Sequence, residues 1–384
     1  MKYSYPFLFY FFYHAAAVFI QPNIVLYFQK SGFDGVQIGL LVGLVPLIIM
    51  LSAPLWTGLA DASNRHKRIM SITILLAIVM SAIFPLAKSF VMMIPLVVLY
   101  ALFAAPVVPF ADSATMNMLA NQKEMYGRVR LGGTFGWGLL ALLAGPLVGK
   151  FGLRWAFWGY SIIMIFTLLT SLKFSYSQKL SHASRSGNVR SVLQDKRWAI
   201  FLALAFVAGI AFTVINSFLF PYMDELNIRG TYRGLALTIA TISELPILFF
   251  ANHLLKRFKA HGLLVLALLI SGLRLLLYAS INSSTGILAF QVLNGMTYPL
   301  FLIAGVAYAN EISPEGMKST AQGLYGSMLS GFGAATGGLA SGLLMDRLGG
   351  QGLYFSAGMF VLFSLSIILL FERNQPARRV KTLD

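Results

Sequence analysis

The chain has 384 residues, of which 58% are hydrophobic and only 11% are charged. Soluble domains carry about a quarter charged residues, so this composition excludes an ordinary soluble protein and indicates one that presents most of its surface to lipid. The net charge is +16, but the basic residues lie between apolar runs, which indicates a membrane protein and argues against a nucleic-acid partner. The chain contains no cysteine, which excludes a disulfide framework and a thiolate metal site.

Twelve runs are long enough to span a membrane, which requires about 20 mostly apolar residues. In the first half they cover 6–29, 36–60, 69–87, 90–119, 130–150 and 154–173; in the second they cover 198–221, 233–255, 262–280, 284–309, 319–345 and 351–371. The pattern predicts an all-α membrane protein with twelve transmembrane helices. We expect a six-helix bundle over 1–173, a linker over 174–197, a second bundle over 198–371 and a tail over 372–384.

Lysine and arginine are unequally distributed between the two sides of these spans. With both termini on one side, that side carries 20 basic residues, the other carries seven, and two lie within spans. Because basic loops are retained in the cytoplasm, this distribution predicts a multi-pass protein of the cell membrane with both termini cytoplasmic.

The two halves share a short sequence repeat. Tyr27 and Gly39 recur as Tyr222 and Gly234, each 195 positions later and at the same helix boundary. The repeat favours two pseudo-symmetric six-helix halves. Such halves, with substrate held between them near the midplane, are typical of secondary transporters.

Four charged residues lie within the predicted spans: Asp112, Arg130, Glu244 and Arg274. A charge at the bilayer centre costs about 2.5–3.5 kcal/mol on the insertion scale, so such residues usually serve a function. Each half contributes one acid and one base, which can neutralise each other across a water-filled cavity. The alternatives are that the pairs only lock helices together and that Arg130 reaches the interface.

A short basic loop joins the second and third spans and contains Gly58, Asp61, Arg65 and Arg68. Its acidic and basic groups can cap helix ends and form contacts that break when helices rock. We therefore predict a conformational-switch loop, with an ordinary positively charged turn as the alternative.

These motifs make the whole chain resemble the major facilitator superfamily, in the branch of the lactose and phenylpropionate permeases. The resemblance is carried by the loop after Gly58, by the intramembrane charges, and by three segments: Tyr126-Gly-Arg-Val-Arg130-Leu-Gly-Gly-Thr-Phe-Gly-Trp137, Gln291-Val-Leu-Asn294 and Ala321-Gln-Gly-Leu-Tyr325. It implies the twelve-helix fold of that superfamily.

The resemblance also implies roles for the site residues. Substrate-binding positions are Asp112, Arg130, Trp137 and Asn294, and proton-coupling positions are Glu244 and Arg274, with Asp112 as the alternative proton site. Two positions depart from the family pattern. Asn294 replaces a common histidine, and Thr297 replaces the carboxylate that is protonated in lactose permease, which argues against lactose as the substrate and against the same proton relay.

The sequence contains no metalloprotease, nucleophile-elbow or phosphate-loop motif, so we do not expect an enzyme, a cofactor or a metal site. Without a nucleotide-binding motif, transport would be driven by an ion gradient. We expect a proton-coupled symporter, acting as a monomer, that imports a small organic solute: an aromatic carboxylate, a nucleoside or a sugar. The alternatives are a proton-coupled efflux carrier and a non-transporting membrane sensor.

Overall fold

The computed structural model describes residues 4–120, 122, 125–176, 195–314 and 317–373. Most of the predicted linker, residues 177–194, and the tail from residue 374 lie outside the described residues. All regular secondary structure in the described ranges is helical.

In the first half, α1 comprises Ser4–Ile20 and Ile24–Lys30, α2 is Gly35–Ser63, α3 is His66–Ile83, α4 comprises Phe90–Ala104 and Val107–Leu119, α5 is Tyr126–Phe151 and α6 is Arg154–Ser171. In the second half, α7 is Lys196–Ser217, followed by the short helix Leu219–Glu225, and α8 comprises Gly230–Phe249 and Ala251–Phe258. Helix α9 is Ala260–Ala279, and α10 comprises Ser284–Gln291, the 3₁₀ segment Val292–Met296 and Tyr298–Ile312.

The last two helices follow each other without a loop. Helix α11 begins with Lys318–Gly326 and the π-helical segment Ser327–Gly333, and the run Ala334–Arg373 then continues through Gly349. Gly349 has φ 68°, outside the helical range, and divides this run into the end of α11 and helix α12.

Ten stretches of the described chain are long and apolar enough to cross a membrane. The difference from the predicted twelve has two causes. First, helix α6 is not among the ten, because it has only 18 residues and one of them is the charged Arg154. Second, Thr320–Arg373 forms one stretch of 54 residues, because Gly349 is not followed by a loop. At 1.5 Å per residue that stretch would extend about 80 Å, far beyond one bilayer, so it contains two spans.

The internal repeat recurs in the backbone conformation of the turns. Positive φ occurs at Gly32 and Asn227, and at Asn64 and Lys259, two pairs that are each 195 positions apart. Because residues other than glycine rarely adopt positive φ, its recurrence at this spacing indicates a shared turn geometry. The structure thus confirms the predicted all-α fold with two related halves.

The halves contact each other through α2 with α11 and through α5 with α8. Glycines allow these close approaches: a Cβ on Gly342 would lie 2.3 Å from the carbonyl oxygen of Gly35, and one on Gly234 would lie 2.4 Å from that of Ala141. We call the end of the bundle at which α1 begins and α12 ends the terminal face, and the other end the opposite face. These glycine contacts close the opposite face.

Towards the terminal face the halves separate. Ala251–Phe258 of α8 and Lys318–Gly326 of α11 pack on helices of their own half. Gly58 of α2 and Gly323 of α11 have open space where a Cβ would stand. The close glycine contacts between the halves therefore lie at the opposite face, whereas these segments at the terminal face contact their own half.

Candidate substrate and coupling site

A cavity of about 660 Å³ lies between the two halves. This volume is within the range of small-molecule binding sites. The polar and aromatic side chains along its wall come from both halves and are His14, Gln21, Phe28, Tyr100, Arg130, Thr134, Trp137, Thr213, Asn216, Ser217, Thr241, Glu244, Arg274, Gln291, Asn294, Tyr298 and Ser330. Five of the six residues predicted to bind substrate or couple protons are among them.

Arg130 and Trp137 form the first-half part of the wall, on α5. The Arg130 guanidinium is half-exposed and donates a hydrogen bond to the Tyr126 hydroxyl at 2.8 Å. Because an arginine has five N–H donors, most of its donor capacity remains available to a solute. Trp137 is half-buried on the same helix, where its ring offers an apolar contact surface.

Asp112 is the predicted site residue that does not line the cavity. It accepts a hydrogen bond from the Tyr10 hydroxyl and lies 3.5 Å from an Arg130 nitrogen, as measured between Oδ2 and Nη1. The close approach of α1 to α5 makes this arrangement possible, since a Cβ on Gly136 would lie 2.1 Å from the Phe11 carbonyl oxygen. Asp112 is thus positioned to orient and partly neutralise Arg130.

Arg274 lies in the middle of α9 and is 1% exposed. Its guanidinium donates hydrogen bonds to Gln291 Oε1 at 2.8 Å, Asn294 Oδ1 at 2.8 Å, the Thr297 hydroxyl at 3.2 Å and the Tyr278 hydroxyl at 2.9 Å. All four acceptors are neutral. Among the described residues, no carboxylate forms an ion pair with Arg274.

Glu244 is connected to Arg274 through Asn294. The Asn294 amide accepts from Arg274 with its oxygen and donates from its nitrogen to Glu244 Oε1 at 2.8 Å. A close contact between α8 and α10 brings these groups together: a Cβ on Gly295 would lie 2.0 Å from the Ser243 carbonyl oxygen. The sequence predicted Glu244 and Arg274 as proton-coupling positions, but it gave no indication that Asn294 bridges them.

Several polar groups of the site were absent from the sequence-based selection. Gln291, Thr134 and Tyr298 line the cavity, and Tyr278 holds Arg274 from behind. Their polarity within predicted spans was a detectable signal. Neutral side chains cost less to bury than charges, however, so they are harder to distinguish from packed residues. His14 also lines the cavity.

The predicted switch loop lies at the terminal face, away from the cavity. Asp61 pairs with His66 of the same loop at 2.7 Å, and Arg65 and Arg68 are exposed. Gly58 is exposed, with open space around it. The loop therefore lies at the terminal face, and its Asp61 makes its hydrogen bond within the loop itself.

Residues 5–356 match the MFS_1 like family. The match covers most of the chain. The chain belongs to the MFS_1 like family. This confirms the resemblance to the major facilitator superfamily, whereas the lactose and phenylpropionate branch stays a prediction. Members of this family are transporters, which agrees with the expectation that the chain is not an enzyme.

Curated relatives of this MFS_1 like protein are also transporters. It is 28% identical to a protein named maltose permease from Geobacillus stearothermophilus, over 97% of this chain and 96% of that one. It is 21% identical to a putative nucleoside transporter, YegT, of Escherichia coli (strain K12), over 84% of this chain and 80% of the relative.

A solved structure has the same fold. The crystal structure of the nucleoside transporter NupG superimposes with a TM-score of 0.85 at 15% identity, covering 97% of this chain and 100% of that one. At this identity the likeness concerns the fold alone. Together these findings identify a multi-pass membrane transporter of the major facilitator type that acts on a small-molecule substrate.

Proposed function

We propose that this protein is a proton-coupled symporter that imports a neutral sugar or nucleoside by alternating access. The observation that carries the proposal is the chain of hydrogen bonds from the cavity-lining carboxylate Glu244 through Asn294 to the buried Arg274. It gives one half of the transporter a protonatable group whose charge is linked to a buried cation.

The basic residues support an orientation. They are concentrated on the side of both termini, which favours the terminal face as the cytoplasmic one in the cell membrane. In that orientation, the closed opposite face is extracellular, and the described state releases solute to the cytoplasm. Residues 1–173 and 198–371 are then the two bodies that rock against each other, joined by the linker 174–197, and a single chain provides the whole pathway.

The balance of charges supports a neutral solute. Arg130 has Asp112 beside it, and Arg274 is linked to Glu244, so each cation near the cavity has an anion in its own half. An anionic substrate such as an aromatic carboxylate would add a negative charge for which neither arginine is free of its own carboxylate. The relatives include a maltose permease and a putative nucleoside transporter, which favours the same two solute classes.

In this proposal Arg130, Trp137 and Asn294 contact the solute, and Asp112 orients Arg130. Arginine N–H groups donate to hydroxyl or carbonyl oxygens, and the Trp137 ring packs against a sugar or base. Glu244 is the proton site. While Glu244 is ionised, its charge compensates Arg274 through Asn294; protonation removes that charge and weakens the network that holds α8, α9 and α10 together.

Proton movement provides enough energy for accumulation. One positive charge moved inward through 100 mV supplies about 2.3 kcal/mol, or roughly fifty-fold in concentration. A pH gradient adds to this driving force.

The proposal is tested by reconstituting the full-length protein in liposomes with an alkaline interior and measuring uptake of radiolabelled uridine and maltose. We expect accumulation above equilibrium for the wild type. Glu244→Gln should abolish accumulation and retain exchange of internal for external solute, because a permanently neutral site still allows the loaded protein to reorient. Glu311→Gln is the matched control. It makes the same replacement of a carboxylate by an amide, but at an exposed position outside the cavity.

If uptake by the wild type does not depend on the pH gradient, proton coupling is contradicted. Accumulation by Glu244→Gln at the wild-type level would place the proton site elsewhere. Solute uptake that is accompanied by movement of protons out of the lumen would favour the efflux carrier.

A further inference from the structure

Gln291 ends the first segment of α10 and borders the central cavity, although it is 1% exposed. Its Oε1 accepts a hydrogen bond from Arg274 Nη2 at 2.8 Å. A guanidinium can only donate, so this contact fixes the orientation of the amide: the oxygen faces Arg274 and the NH₂ group faces away from it.

The NH₂ group of Gln291 has no hydrogen-bond partner within the described residues, although it is buried. The surrounding polar groups are bonded: Asn294 uses both ends of its amide, and Arg274 has four acceptors. A buried donor without a partner costs free energy. A solute that supplied the missing acceptor would therefore bind about tenfold more tightly than one that did not. Within the described residues, the Gln291 NH₂ group is therefore the donor group of this network that makes no hydrogen bond.

The unused donor lies in the same hydrogen-bonded cluster as Glu244. One Glu244 oxygen accepts from Asn294, which leaves the other as an acceptor on a residue that lines the cavity. A hydroxyl group can accept from one neighbour and donate to another, whereas a carboxylate only accepts and a hydrocarbon does neither.

We propose that Gln291 is a specificity-determining residue whose NH₂ group donates a hydrogen bond to a hydroxyl or carbonyl oxygen of the solute. This inference rests on the proposed function, since it concerns the same cavity. Gln291 thereby selects neutral solutes that present an acceptor at the second-half wall, and it rejects analogues that lack that oxygen.

A purely structural role of Gln291, holding Arg274, is the rival explanation, and Tyr278 separates the two. The Tyr278 hydroxyl also accepts from Arg274, at 2.9 and 3.1 Å, but Tyr278 is not among the residues that line the cavity. Tyr278→Phe therefore weakens the support of Arg274 without removing a donor to the solute.

The experiment measures binding by calorimetry with purified full-length protein in nanodiscs. The probes are uridine and maltose, each with analogues that lack one hydroxyl group. For the analogue that lacks the recognised oxygen, the wild type should bind about tenfold more weakly than it binds the parent solute. Gln291→Met should bind the parent about tenfold more weakly and lose this discrimination, while Tyr278→Phe should retain the wild-type ratio.

A Gln291→Met variant with undiminished discrimination against every analogue would overturn the proposal. So would a wild type that binds neither parent solute, because the proposal names their class. If Gln291→Met fails to fold, Gln291→Glu keeps an oxygen for Arg274 and removes the donor, and the same loss of discrimination is expected. Binding with this discrimination but without pH-driven uptake would support the proposal and contradict only the proton coupling.

Discussion

An ion pair between Lys30 and Asp224 joins the two halves at the opposite face. Lys30 ends α1, Asp224 lies in the short helix after α7, and the Lys30 Nζ to Asp224 Oδ2 distance is 2.6 Å. Arg233, at the start of α8, holds the other Asp224 oxygen at 2.5 Å from within the second half. Of the two ion pairs that Asp224 makes, the one with Lys30 crosses between the halves, so its removal should favour opening of this face.

The size of the effect follows from exposure. The Lys30 side chain is 59% exposed and that of Asp224 is 28% exposed, so solvent screens the pair and its value is about 0.2–1 kcal/mol. We therefore expect Lys30→Ala to shift the equilibrium towards the state open at the opposite face by about 1.5-fold to fivefold. Lys30→Arg, which keeps the charge, should leave it nearly unchanged.

The natural absence of cysteine makes this shift measurable. A Ser330→Cys substitution places one thiol on the cavity wall, and a membrane-impermeant maleimide added at the opposite face labels it only when that face opens. Lys30→Ala should raise the labelling rate by the stated factor. The effect of Lys30→Ala on the labelling rate is also measured in the Asp224→Ala background, as a double-mutant cycle. An equal effect in both backgrounds would refute the idea that the ion pair between Lys30 and Asp224 stabilises the closed face.

The same pair should not respond to physiological pH. The pKa of Asp224, which lies beyond the span Lys196–Ser217, is lowered from its usual 3.8: burial raises it, but hydrogen bonds from Lys30 and Arg233 outweigh burial. A carboxyl with a lowered pKa contributes its full stabilisation above the usual value and loses it only as the pH falls through the lowered one. The labelling rate of the Ser330→Cys protein should therefore gain no pH dependence from Asp224 between about pH 6 and 8.

Three further substitutions test the cavity and the closed face. Arg130→Ala should lower solute affinity in calorimetry by about tenfold to a hundredfold, the value of a charged hydrogen bond, and unchanged affinity would exclude Arg130 as a solute contact. Trp137→Ala should weaken binding of uridine by about fivefold or more through lost ring contact, and a larger effect on a small ringless polyol would contradict stacking. Gly342→Ala should raise Ser330→Cys labelling from the opposite face, because its Cβ would lie 2.3 Å from the Gly35 carbonyl oxygen, whereas Gly58→Ala, in open space, should have no effect.

The sequence determined the fold and the charged part of the candidate site. Span length and hydropathy are properties of a contiguous segment, because each helix must satisfy its own backbone hydrogen bonds in lipid. The cost of burying charge likewise singled out Arg130, Glu244 and Arg274 one residue at a time. The repeat at 195 positions predicted two related halves, and the turns confirmed it.

Tertiary structure alone decided how these residues are connected and which face is closed. Asn294 reaches Glu244 across 50 positions of sequence, and Lys30 meets Asp224 only because the halves are together at one end. Asp112 turned out to lie behind Arg130 and not on the cavity wall. Such contacts depend on how neighbouring helices rotate and approach one another, which is set by packing between distant segments and leaves little trace in the pattern of any one of them.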